Sequence, residues 1–128
     1  MKVEVAIGEI FDKITILDIK LERISDESRL SYIRGEKDIL EDALKLESVE
    51  IDSDLYQELR DINIKIWDTE TGFREKEEKQ EFDDEFVQFA RLNAKYNDER
   101  FLIKKRINEY YDSPVREQKA YDRLYNTD

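Results

Sequence analysis

The sequence contains no cysteine and no histidine. Without cysteine the chain can form neither a disulfide nor a thiolate nucleophile, and without histidine it lacks the commonest general base and the commonest zinc ligand. These absences exclude Ser-His-Asp and Cys-His catalysis as well as ordinary zinc sites. We therefore predict that the chain has no metal site and no cofactor.

Glycine and proline are scarce, with three and one among 128 residues, whereas 43% of the residues are charged and 39% are hydrophobic. Many charges with few helix breakers are typical of long helices rather than of a sandwich or barrel. A chain of this length forms one domain with a real core. We predict an all-α fold, in which residues 1–128 form a single antiparallel bundle of four to six helices.

Long apolar runs are also missing, because no stretch approaches 18 apolar residues and the N-terminus lacks the pattern of a signal peptide. We therefore expect a cytoplasmic protein. The formal net charge is −11, from 22 basic and 33 acidic residues. A field of this sign repels phosphate backbones and anionic lipid, so we expect neither nucleic acid nor a membrane as a partner.

The most regular apolar segment spans residues 7–24 and has helical periodicity. Ile16 and Ile19 fall on the opposite side from its main stripe, so this helix must be covered from more than one direction. The segment therefore predicts a first helix at the centre of the bundle. The stripe, which recurs at steps of three and four residues, consists of Ile7, Ile10, Ile14, Leu17, Leu21 and Ile24.

Short polar residues mark the starts of the helices. Gly8 is predicted to cap the first helix, Ser25-Asp26 to close it and open the second, Asp52 or Ser53 to cap the third, and Asp83 the fourth. The motif Asp52-Ser53-Asp54 has the D-x-D form of some metal-binding glycosyltransferases, but its position between two helices favours a cap. The caps therefore divide the chain without a recognisable linker.

The C-terminal third leaves two alternatives open. Asn97-Asp98 is predicted either to start a fifth helix or to bend the fourth, and Ser113-Pro114 is predicted to open a short terminal helix over Val115–Tyr125. Four tyrosines either pin this terminal helix or form an exposed patch that pairs two subunits. These are Tyr110, Tyr111, Tyr121 and Tyr125.

Five basic residues are candidates for an anion site. If the first helix meets the segment around residue 100, they converge into a cationic pocket that suits a phosphate, sulfate or carboxylate. Alternatively, their stems pack at the edge of the core while their charged ends pair with acids. In an enzyme, Glu9 or Asp12 would carry the proton. The basic set is Lys13, Lys20, Arg91, Arg100 and Lys104.

Acidic pairs and one tryptophan are weaker signals. Pairs spaced by three residues are used by all-α magnesium-dependent nucleotide hydrolases, but in so acidic a chain such pairs arise by chance and a solvated charged face is the favoured explanation. Trp67, the single tryptophan, is predicted to be a core anchor. The pairs are Glu47 with Glu50, Glu58 with Asp61, and Glu78 with Glu81.

Four motifs resemble a family of small helical proteins of bacteria and cyanobacterial phages without an established activity. They are Ile7-Gly-Glu-x-x-Asp-Lys-Ile-Thr-Ile-Leu-x-Ile-Lys20, Asn63-x-x-x-Trp67-x-x-Glu70, Phe86-x-x-x-Ala90-Arg91 and Asn97-Asp-x-Arg100-x-x-Ile-Lys104-x-x-Ile-Asn108. The resemblance implies a link to surface-polysaccharide work and departs at Thr71 and Ala94. It also implies recurring polar or aromatic residues at Glu9, Asp12, Lys13, Lys20, Trp67, Glu70, Arg74, Arg91, Asn97, Asp98, Arg100 and Lys104.

Taken together, these features predict a helical binding or assembly module without catalytic chemistry, whose partner is another protein or a second copy of the chain. The alternative is a protein that binds or transforms an anionic metabolite, with the five basic residues as ligands. A magnesium-dependent hydrolase is the third hypothesis.

Overall fold

The computed structural model describes residues 1–120, which form four α-helices and no strand. The helices are α1 (Ile7–Arg23), α2 (Glu27–Leu46), α3 (Ser53–Lys79) and α4 (Asp84–Tyr110). The predicted all-α class and the bundle of four to six helices are confirmed. None of the helices in this described range is long and apolar enough to cross a membrane.

Helix α1 is the central element, as predicted from its two apolar sides. It packs against each of the other three helices, whereas α2 contacts no other helix than α1 within residues 1–120. Ile19 is 1% exposed on the side opposite the main stripe, and Ile16 is half-buried. The core that α1 shares with its neighbours consists of Phe11, Ile14, Leu44, Leu59, Ile62, Ile103 and Ile107.

Helices α3 and α4 form an antiparallel hairpin, each 27 residues or about 40 Å long. Near the turn, the rings of Phe73 and Phe86 stack with their centroids 4.8 Å apart. Far from the turn, Arg106 forms an ion pair with Glu58 at 2.8 Å. The two helices therefore stay in contact along most of their length.

Three of the predicted caps are confirmed, because each aspartate accepts hydrogen bonds from the first turn of its own helix. Asp26 accepts from the backbone N–H groups of Ser28 and Arg29. Asp52 accepts from the N–H of Leu55 at 3.0 Å, and Asp83 accepts from that of Phe86 at 3.0 Å. The D-x-D motif is therefore the start of a helix.

The predicted cap of α1 is wrong, because α1 begins at Ile7 and its N-cap, Ala6, makes no side-chain hydrogen bond. The free N–H groups of its first turn are satisfied from the far end of the chain instead. Ile7 N–H donates to the Ser113 hydroxyl at 3.1 Å, and Gly8 N–H donates to Asn108 Oδ1 at 2.7 Å. Helix α1 is thus capped by residues about 100 positions away.

In the C-terminal third, the structure excludes one of the two alternatives for Asn97-Asp98 and corrects the prediction of a terminal helix. Helix α4 runs unbroken from Asp84 to Tyr110, and the Asn97 amide donates to the Asn93 carbonyl at 2.7 Å, so Asn97 caps no new helix. Residues 115–120 are not helical, because the Ser113 hydroxyl is committed to Ile7 and to the Val115 carbonyl. The rest of the predicted terminal helix, with Tyr121 and Tyr125, lies outside the described residues.

Tyr111 fixes the connection between α2 and α3. Its hydroxyl accepts from Asp52 N–H at 2.8 Å and donates to the Glu50 carbonyl at 2.5 Å, while its ring packs on Phe11 at 5.3 Å. Tyr110 is 65% exposed. The two neighbouring tyrosines therefore have different surroundings, and Tyr111 holds a loop rather than a terminal helix.

Two glycines give opposite expectations for stability. A Cβ at Gly8 would lie 2.7 Å from the Lys104 carbonyl oxygen and 2.9 Å from Asn108 Oδ1, whereas a Cβ at Gly35 would have no atom within 4 Å. Gly8→Ala should lower the free energy of unfolding by about 1–3 kcal/mol through overpacking. Gly35→Ala should raise it by about 0.5–1 kcal/mol through helix propensity. Urea unfolding followed by circular dichroism measures both, and equal effects would contradict the close contact of α1 with α4.

Candidate functional site

A cluster of charged residues lies where α1 crosses α4. Lys104 Nζ is 2.7 Å from Glu9 Oε2, 3.3 Å from Glu117 Oε1 and 4.0 Å from Asp12 Oδ2. The side chains of Lys104 and Asp12 are only 9% and 7% exposed. Because a buried charge is costly unless it is paired, these contacts hold the helices in one relative position.

Asp12 also joins α1 to α3 through a buried amide. The Asn63 side-chain NH₂ donates to Asp12 Oδ1 and to Thr15 Oγ1, both at 2.8 Å. The Thr15 hydroxyl donates to the Asp12 carbonyl at 2.7 Å. We call Glu9, Asp12, Thr15, Asn63 and Lys104 the buried polar cluster. Three helices meet in it.

The charges in this cluster stabilise one another. Burial by itself raises the pKa of Glu9, but the hydrogen bond from Lys104 and the charges of Lys104, Lys13 and Arg100 outweigh it and lower that pKa below its ordinary value. Burial lowers the pKa of Lys104, but Glu9, Asp12 and Glu117 outweigh it and raise that pKa. Both groups therefore stay charged at neutral pH, and the pKa of Glu9 moves away from the range that suits a proton carrier.

A cleft of about 370 Å³ adjoins the cluster, between α1, α3 and α4. Its size lies in the range of small-molecule sites, roughly 300–1,000 Å³. Most of its surface is apolar and comes from Ile16, Ile19, Ile66 and Trp67. Its polar lining consists of Asn63, Glu70, Thr71, Arg74 and Arg100.

The basic residues around this cleft differ in their pairing. Arg74 donates to Glu70 at 2.6 Å, so these two charges neutralise each other. Arg100 is half-buried, and its guanidinium makes no hydrogen bond or ion pair with any residue in 1–120. Lys13 and Lys20, three residues before and four after Ile16, share its stripe on α1 and likewise have no ion-pair partner among the described residues.

Several residues of the predicted site lie elsewhere. Arg91 is nine residues from Arg100, about 13 Å along α4, and lines a separate shallow depression with Lys95. Asp98 forms an ion pair with Lys119 at 2.5 Å. Of the predicted basic set, Arg100 therefore lines the cleft, Lys104 belongs to the buried polar cluster, and Arg91 is separate from both. Lys13 and Lys20 lie on α1 near Ile16 but are not part of the cleft lining.

Trp67 is half-buried and lines the cleft, and the Arg23 guanidinium lies 5.7 Å from its ring centroid. It is therefore a wall of the cleft and lies outside the core cluster, rather than being the core anchor that the sequence predicted. Among residues 1–120, no three acidic side chains are close enough together to hold a metal ion.

Asn63, Thr15 and Asn108 were missed as site residues, although the motifs of the resemblance contain all three. Each is buried, with 4%, 0% and 3% exposure. The signal that could have found them is a polar residue at the helical spacing of apolar ones: Thr15 follows Ile14 and Phe11, and Asn63 follows Ile62 and Leu59. Such residues need a partner inside the fold.

The family model for DUF6165, a family of unknown function, matches residues 1–128, so the chain belongs to that family. No curated protein and no solved structure matches the chain.

Replacing Lys104 tests how much the buried polar cluster contributes to the free energy of unfolding. Lys104→Met leaves Asp12 and Glu9 without their partner and should lower the free energy of unfolding at pH 7 by about 3 kcal/mol. The matched change Arg106→Met breaks an exposed pair and should cost less than about 1 kcal/mol. Urea unfolding measures both, and equal losses would contradict the central role of Lys104.

The loss from Lys104→Met should depend on pH. Because the pKa of Glu9 is lowered in the folded protein, its stabilisation is complete above the ordinary glutamate pKa of about 4.3 and is lost as the pH falls through the folded value. The gap between wild type and variant should therefore be flat from about pH 6 to 9 and narrow on acidification. Urea unfolding at a series of pH values measures it, and a gap that widens below pH 4 would contradict the assignment.

Proposed function

We propose that this member of the family is a helical binding module, and that its cleft binds a small anion with an apolar body. One observation carries the proposal: the half-buried residue Arg100 lines an apolar cleft and forms no hydrogen bond or ion pair with a described residue. An arginine in such surroundings is suited to bind a carboxylate or phosphate through two parallel hydrogen bonds.

The contrast with Lys104 supports this assignment. Lys104 lies one turn further along α4, and three carboxylates lie within 4.0 Å of its Nζ. Arg100, by contrast, forms no hydrogen bond with a described carboxylate. Most other half-buried basic residues of the described range form ion pairs, namely Lys37, Arg60, Lys76 and Lys119, whereas Arg100 and Lys20 form none. Lys13 and Lys20 add positive charge on the same side of α1. The local field at the cleft therefore favours an anion although the net charge is −11.

The apolar lining determines the rest of the ligand. Ile16, Ile66 and the indole of Trp67 offer contacts to an aromatic or aliphatic body, which a bare inorganic anion would leave unused. We therefore expect an aryl or alkyl carboxylate or phosphate to bind more tightly than phosphate itself. A cytoplasmic location, phage members of the family and a link to polysaccharide work stay predictions from the sequence.

A role as an enzyme has less support than binding. The carboxylate of Glu9, predicted as a proton carrier, is hydrogen-bonded to Lys104, and its pKa is lowered. A general acid or base at neutral pH needs a pKa close to the working pH. We therefore assign Glu9 to the positioning of α1 against α4.

The single tryptophan makes binding measurable without a label, because Trp67 lines the cleft. Phenyl phosphate, titrated into the protein, should change the fluorescence of Trp67 with saturation, whereas phenol and inorganic phosphate should bind at least tenfold more weakly. Arg100→Gln should weaken the binding of phenyl phosphate by about 10–100-fold, since a hydrogen bond to a charged group contributes roughly 1.5–3 kcal/mol.

The matched control is Arg106→Gln, which removes the same charge from the same helix outside the cleft. It should leave the affinity for phenyl phosphate within about twofold of wild type. Equal affinity for phenol and phenyl phosphate, or equal losses in the two variants, would overturn the proposal. Thermal unfolding of both variants without ligand checks that the fold is unchanged.

A further inference from the structure

Helix α2 carries a straight line of exposed apolar side chains. Tyr32, Ile39 and Leu46 are 84%, 70% and 86% exposed and lie exactly seven residues apart. Two helical turns separate each from the next, so the three side chains follow one face over about 21 Å. Single exposed apolar residues are common, but an aligned set on one face is typical of an interaction surface.

The position of α2 in the fold leaves this face bare. Helix α2 packs on α1 alone among the helices of the described range, through a face that includes Ile33 and Leu44. Gly35 lies between Tyr32 and Ile39 along the helix, and no atom lies within 4 Å of the point where its Cβ would be. A second helix can therefore approach the backbone of α2 closely at this point.

The charges beside the line indicate what covers it. Glu36 lies between Tyr32 and Ile39 on one side, and Asp42 lies between Ile39 and Leu46 on the other. Neither carboxylate forms an ion pair with a described residue. The basic residues near the start of α2, by contrast, are occupied: Arg29 pairs with Asp26, and Arg34 pairs with Glu27. The rim of the apolar line is therefore negative.

A second copy of the chain fits this rim poorly. Antiparallel pairing about Ile39 would place Glu36 of one copy opposite Asp42 of the other, and parallel pairing would align each carboxylate with its own counterpart. Like charges in direct apposition oppose association, and each chain brings a further net charge of −11. A surface with basic residues avoids both penalties.

We propose that α2 docks an amphipathic helix of another protein, whose apolar stripe covers Tyr32, Ile39 and Leu46 and whose flanking Lys or Arg residues pair with Glu36 and Asp42. The apolar contacts supply the affinity, and the flanking charges select the partner. This docking surface lies on a different helix from the residues that line the ligand cleft, so the proposal does not depend on the proposed ligand.

Two designed peptides of one length test the proposal. Both are helical with leucine at heptad spacing, and they differ only in whether lysine or glutamate flanks the leucines. Titration of each into the ¹⁵N-labelled protein, followed by NMR, should show binding of the lysine peptide at least tenfold tighter than that of the glutamate peptide. The shifts should concentrate on residues 32–46. Equal binding of the two peptides, or shifts centred on another helix, would overturn the proposal.

Two sets of variants distinguish specific docking on α2 from non-specific attraction between a basic peptide and an acidic protein. The charge exchange Glu36→Lys with Asp42→Lys should reverse the preference to the glutamate peptide. Ile39→Ser should lower the affinity for the lysine peptide by at least tenfold. Val87→Ser, at a 53% exposed position on α4, should leave that affinity unchanged. Circular dichroism checks the folding of each variant.

The oligomeric state of the protein tests the alternative that a second copy of the chain covers α2. Sedimentation of the wild type should show a monomer at concentrations at which the lysine peptide is bound. A dimer that Ile39→Ser dissociates would mean that a second copy covers α2, and it would overturn the proposal in favour of self-association.

Discussion

The ion pair and hydrogen bonds around Asp12 and Lys104 are the constraint on which the arrangement of three helices depends. A charged lysine whose side chain is 9% exposed is tolerated only while Glu9 and Asp12 stay beside it. Asp12, in turn, accepts from Asn63 of α3. Sliding either α3 or α4 along α1 by one turn would leave at least one of these groups buried and unpaired. Apolar packing alone allows such shifts, so the polar cluster fixes the register.

The same register explains both the start of α1 and the cleft. At the N-terminal end, Gly8 lets α1 approach α4 closely enough for Asn108 and Ser113 to accept its first two N–H groups. Directly beside the cluster, with Asn63 common to both, the cleft opens between Ile16 of α1 and Arg100 of α4. The carboxylates of Glu9 and Glu70 are bonded elsewhere, to Lys104 and Arg74 respectively, and Arg100 forms no hydrogen bond with either.

Local signals in the sequence predicted much of this fold. The aspartate caps of α2, α3 and α4 act within four residues, and the two apolar sides of α1 follow from its periodicity, so both were accessible without coordinates. The start of α1 could not be predicted from local signals, because the residues that cap it come from the other end of the chain. For the same reason the sequence could not separate Lys104 from Arg100: both are basic residues on one face of α4, and their difference lies in which carboxylates the fold brings to each.

The molecule departs from the simple pattern of apolar inside and polar outside in two ways, and these have different meanings. Polar residues inside, such as Thr15 and Asn63, all have partners, and no buried side-chain nitrogen or oxygen in the described part of the chain is left unsatisfied. Their role is therefore complete within the fold. Within residues 1–120, by contrast, Arg100 forms no hydrogen bond or ion pair, and the apolar line on α2 is exposed. These two features are therefore the ones on which we base the proposed ligand and the proposed partner helix.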